Sequence, residues 1–166
     1  MGYRLRRTED ALLPPVLYGG EGQLPISETL ALLHGEKLAI CDELEEIADS
    51  LPEGLDRDRC LSVSRRLEPL VQAVHVYEEQ VLFPACLEAA GHAAHARELV
   101  ARLKAEHIED AEFAAELCEG LRRIGEGLAP LNVEALAYML RGFFAGVRRH
   151  IATEREAMLS LSGTTA

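Results

Sequence analysis

The chain has 166 residues, 48% of them hydrophobic and 27% charged, which is the composition of an ordinary folded domain and excludes intrinsic disorder. Seventeen basic against 28 acidic residues leave a net charge of −11, a field that repels a phosphate backbone and argues against nucleic acid or an anionic membrane as partner while favouring small cations. No apolar run approaches the ~18–20 residues of a membrane span, and Arg4, Arg6 and Arg7 are not followed by the apolar core of a signal peptide, so a cytoplasmic protein is expected.

Residues 1–25 carry Pro14, Pro15, Pro25 and Gly19-Gly20, which reads as an irregular N-terminal arm. From Ser27, a candidate N-cap, Leu30, Leu33, His34, Leu38, Cys41, Leu44 and Ala48 recur at helical steps until Pro52 and Gly54 stop the pattern. A second helix starts near Asp58 and runs through Leu61, Leu67, Val71, Val74 and Leu82, with bends expected at Pro69 and near Pro84. Gly91 interrupts. A third carries Leu99, Leu103, His107, Ala114, Leu117 and Leu121 to Gly125 and Gly127, and a fourth, capped by Asn132, carries Leu136, Leu140, Phe143, Val147, Ile151 and Met158. No segment alternates with period two, so the expected fold is all-α: an antiparallel up-down-up-down four-helix bundle over 26–160, with a frayed tail at 161–166. The four cysteines, Cys41, Cys60, Cys86 and Cys118, form no Cys-x-x-Cys pair and read as reduced core residues.

Four of the six histidines fall one per helix: His34, His75, His107 and His150. Two of them precede a carboxylate by one turn, His75 with Glu79 and His150 with Glu154, a step that puts both side chains on one face roughly 6 Å apart in height. Counted from a common end of the bundle, the four imidazoles lie within a band of roughly 12 Å, so they can meet in one interior layer. Buried carboxylates are costly without a compensating cation, and imidazole nitrogen with carboxylate oxygen suits iron, zinc, copper or nickel. His92 and His95 fall near the bundle end, away from that layer.

Over about 26–160 the sequence resembles the hemerythrin family, specifically the cation-binding hemerythrin-like (HHE) domains. The resemblance rests on Leu-Leu-His-Gly-Glu-Lys-Leu around His34, His-Val-Tyr-Glu-Glu-Gln-Val-Leu-Phe-Pro at 75–84, Ala-Glu-His at 105–107 and His-Ile-Ala-Thr-Glu at 150–154. It implies a non-haem di-iron centre, two iron ions or another divalent metal such as zinc, with His34, His75, His107 and His150 as terminal ligands and Glu79 and Glu154 as bridges. Glu78 competes with Glu79: it lies nearer the centre of the second helix's apolar stripe, whereas Glu79 keeps the four-residue step from His75 and is preferred on that ground. Leu103 and Ala111 stand where oxygen carriers of the family have a further histidine, leaving a position for water or for Asp110. That departure points away from oxygen carriage and toward binding or sensing of dioxygen, nitric oxide, peroxide or redox state. The rival readings are a di-iron enzyme that reduces peroxide or oxidises a small substrate, and a metal-poor regulatory bundle. Homodimerisation is open.

Overall fold

The computed structural model describes residues 24–128 and 132–162, with side chains through 158. Most of the expected N-terminal arm and the end of the tail therefore lie outside the described residues. The elements are α1 (Ile26–Ser50), α2 (Arg57–Tyr77), a π-helical turn (Glu78–Leu82), α3 (Phe83–Ala89), α4 (Ala94–Gly125) and α5 (Val133–Ser162). Among the described residues there is no strand. The π turn joins α2 to α3, so the chain forms four helical rods that pack as a helical bundle: α1 against α2 and α5, and α4 against α2 and α5.

The helix ends show how local sequence sets these bounds. At α2 the Asp56 side chain accepts from Arg59 N–H at 3.0 Å, and at α5 Asn132 Oδ1 accepts from the N–H groups of Glu134 and Ala135 at 3.0 and 3.3 Å. Ser27 does not cap α1; Pro25 holds that position and Ser27 lies in the first turn. Two helices end in the same way. Gly91 (φ 56°) follows α3 and Gly127 (φ 71°) follows α4, and in each case the next residue donates back across the turn, His92 N–H to Leu87 O at 2.8 Å and Leu128 N–H to Arg123 O at 2.9 Å. These are Schellman closures, which need a left-handed residue that glycine adopts without steric cost.

Pro69 sits inside α2 without ending it, and the disturbance expected near Pro84 takes the form of the π turn. Phe83 N–H bonds to Glu78 O, an i→i+5 step, immediately ahead of a proline that has no N–H and whose ring crowds the carbonyl four residues back.

Cross-helix contacts set the register. Arg148 of α5 bonds Asp42 and Glu45 of α1 at 2.7 and 2.6 Å, and one step on Arg141 bonds Asp49 at 3.0 Å. Between α4 and α5, Phe113 meets Phe143 edge to face at 5.6 Å. The buried apolar residues divide into two clusters, a large one from Leu33 and Ile40 through Leu67, Leu117, Leu140 and Ile151, and a smaller one of Leu30, Leu82, Phe83, Val100 and Leu103. A layer of buried polar side chains from all four rods separates them.

Candidate metal centre

That layer contains His34, Lys37, His75, Glu78, His107, His150 and Glu154, each at most 7% exposed. So many ionisable groups in an apolar interior are costly unless they satisfy one another or an ion. Each arrives from its rod's apolar stripe: His34 and Lys37 lie one turn apart on α1, and His150 and Glu154 one turn apart on α5. His107 stands on α4 between Leu103 and Ala114.

On α2 the buried positions Leu67, Leu70, Val71, Val74 and His75 continue into Glu78, which has no solvent exposure. Glu79, preferred from the four-residue step, is instead 37% exposed on its side chain. The apolar stripe, not the motif step, decides which carboxylate enters the interior, and the π turn begins at that residue.

The two buried carboxylates span the layer. Glu78 Oε2 lies 3.1 Å from His107 Nε2, and its Oε1 lies 3.5 Å from His34 Nε2 and 3.9 Å from Lys37 Nζ. Glu154 Oε1 lies 3.3 Å from His150 Nε2, and its Oε2 accepts from His34 Nε2–H at 3.0 Å. One side of the pair thus faces His107 and His150, and the other faces His34 and Lys37.

On the first side the tautomers are set from outside. His107 Nδ1–H donates to Glu79 at 2.8 Å and His150 Nδ1–H donates to Glu106 at 2.8 Å. A neutral imidazole that donates from Nδ1 carries a lone pair on Nε2. The two Nε2 atoms sit only 3.2 Å apart, so two lone pairs face each other unless a proton or cation lies between them. One donor atom from each of Glu78, His107, His150 and Glu154 lies within 4.8 Å of the others, and all four residues are buried. The donor chemistry fits a borderline transition-metal cation, and Glu79 and Glu106 stand where outer carboxylates orient metal-ligating histidines.

His75 packs its ring flat on His107, with centroids 3.9 Å apart, and its buried Nε2 has no hydrogen-bond partner among the described residues. Burial first, then the charges of Lys37 and His107, push its pKa down to about 2, which keeps the ring neutral. For His34 and His150 burial likewise lowers the pKa, but the adjoining carboxylates outweigh it and raise both above the usual imidazole value. Burial opposes ionisation of Glu78 too, yet Lys37, His107 and His34 together hold it well below the ordinary carboxylate range. Asp110 is half-buried with its pKa raised by burial, and it stands outside the four-donor group. His92 and His95 are exposed.

Sequence reasoning missed Lys37 and Glu106. Lys37 shares a helical face with His34, a signal that was available. Glu106 reaches across to another rod from the position next to His107, which no spacing along one helix reveals.

Beyond Glu154 the layer opens on a cavity of about 180 Å³ whose other walls include Leu82, Phe83, Leu99, Val100, Leu103 and Met158. No described helix is long and apolar enough to cross a membrane. The protein-family model described as the hemerythrin HHE cation binding domain matches residues 26–161. Comparison with curated proteins and with solved structures gave no match.

Proposed function

The chain belongs to the hemerythrin HHE cation-binding family, and from that premise we propose that it binds iron in the buried layer and uses it to bind or sense a small apolar ligand, dioxygen or nitric oxide, or a peroxide. The observation that carries this reading is the convergence of two imidazole lone pairs, fixed from outside by Glu79 and Glu106, on the same spot as Glu78 and Glu154. His107 and His150 supply nitrogen ligands and Glu78 and Glu154 supply oxygen ligands, while Glu79 and Glu106 hold the rings in place. His34 and His75 stand on or beside the other side of the carboxylates, the side that a second ion would have to use.

Iron held there would supply ligand binding and one-electron redox chemistry. The protein's part is to orient the imidazoles of His107 and His150 so that Nε2 faces the ion, to exclude bulk water with the two apolar clusters, and to admit a ligand along the apolar cavity that ends at Glu154. Such walls favour an uncharged diatomic over an anion. We also read the rods as running up-down-up-down. Support comes from contacts that step in opposite directions, Asp42 and Asp49 of α1 against Arg148 and Arg141 of α5, and Phe113 and Gly120 of α4 against Phe143 and Leu136 of α5. A cytoplasmic setting is consistent with four free cysteines.

The test is to load the metal-free chain with ferrous ion under anaerobic conditions, remove excess, and measure retained iron and the visible spectrum before and after nitric oxide or dioxygen. Retained iron with ligand-dependent bands is expected. A chain that releases all its iron on desalting would overturn the reading.

A further inference from the structure

We propose that Lys37 occupies the place of a second metal ion, so that the centre takes one divalent cation, on the side of His107 and His150, with the Lys37 ammonium as the resident positive charge on the side of His34. The inference rests on the cation-binding reading above and concerns how many ions the layer accepts.

Lys37 is 1% exposed, and its Nζ has no hydrogen-bond partner among the described residues. A lysine seldom reaches such a position without a charged counterpart. Here the counterpart is Glu78 Oε1 at 3.9 Å, the oxygen turned away from His107 and toward His34. Lys37 is also the leading charge acting on Glu78, His75 and Asp110. Its burial and its stand against Glu78 make it a member of this layer, not a surface lysine folded inward.

The two sides of the carboxylate pair are built differently. Toward His107 and His150, outer carboxylates force lone pairs inward and create a site for a cation. Toward His34 and Lys37, the groups facing the carboxylate oxygens carry hydrogen: the His34 N–H donates to Glu154, and the ammonium stands against Glu78. A second ion beside Glu78 Oε1 would meet a like charge in an environment that screens it poorly. The charge balance agrees. Two buried carboxylates against one ammonium leave a single negative charge, which one divalent ion more than neutralises and a second would exceed by far.

The experiment is native mass spectrometry of the full chain after saturation with Co²⁺ and removal of loosely held ion, for the wild type and for Lys37→Met, which keeps the side chain's length and removes its charge. The wild type is expected to retain one Co²⁺ per chain, Lys37→Met two, and Lys37→Arg one. Two ions in the wild type would overturn the proposal, as would one ion in a folded Lys37→Met. Should Lys37→Met fail to fold by circular dichroism, Lys37→Gln takes its place, and the wild-type count alone still decides against the proposal if it is two. No retained ion in any form would instead bring down the cation-site reading, and this inference with it.

Discussion

Glu79 and Glu106 are the residues on which the chemistry of this centre turns without either being buried in it. Their side chains are 37% and 40% exposed, so removing one costs little packing. What is lost is the acceptor that fixes the Nδ1–H tautomer of His107 or His150. Glu106→Ala and Glu79→Ala are each expected to fold as the parent does and to weaken Co²⁺ or Zn²⁺ binding by about 10–100-fold, measured by titration against a competing chelator. Parent-like affinity in both would show that the rings need no outside support. Glu106 also marks the limit of the sequence at this scale. The four histidines were legible because each lies on its own helix's apolar stripe, and periodicity reports stripes. Lys37 was legible in the same way, one turn from His34 on the buried face of α1, whereas Glu106 acts across space between rods, and helical spacing alone carries no record of it.

At the scale of the helix, the stripe and the motif gave different answers for α2, and the stripe prevailed. Leu67, Leu70, Val71, Val74 and Glu78 form one continuous buried line, and the π turn ahead of Pro84 lets Leu82 and Phe83 stay on it. The His75-to-Glu79 step assumes a regular α-helix at the point where the chain departs from one. Helix ends were legible where a cap has a side-chain signature, as at Asn132, and not at α1, where Ser27 resembles a cap but Pro25 precedes it. The end of α4 offers a test of helix packing apart from the metal. A Cβ on Gly125 would lie 2.4 Å from Leu61 Cγ and 3.0 Å from the Arg57 carbonyl oxygen, so α4 meets the start of α2 with no room to spare. Gly125→Ala is expected to destabilise the chain by about 1–3 kcal/mol, lowering its melting temperature by several degrees. Its metal content should not change, because the site lies far along the rods. An unchanged melting temperature would mean that Leu61 and Arg57 yield easily.

For the molecule as a whole, the polar layer makes stability depend on what fills it. Without a cation, His34 and His150 hold protons more tightly when folded than their model value of 6.5, so their contribution is complete below about pH 6.5 and is lost as pH rises through their folded values. His75 behaves in the opposite sense: depressed to about 2, it adds no slope above 6.5, and below 6.5 the unfolded chain gains a proton that the folded chain refuses. Glu78, held well below its model value of 4.5, stabilises above about that pH and ceases to as pH falls through its folded value. The metal-free chain should therefore be most stable near pH 6.5 and lose stability on either side, before the buried thiols, such as Cys41 pushed up to about 12, enter at higher pH. A bound cation reverses the alkaline arm, because it competes with protons for the same nitrogens and holds them better as proton concentration falls. Melting temperatures taken at about pH 5.5, 6.5 and 8, with chelator and with Zn²⁺, should show the chelated protein weaker at pH 8 than at 6.5 while the zinc-loaded protein gains over the same interval. Parallel curves with and without zinc would mean that the ion does not replace the layer's protons, and that the imidazoles meet there for packing alone.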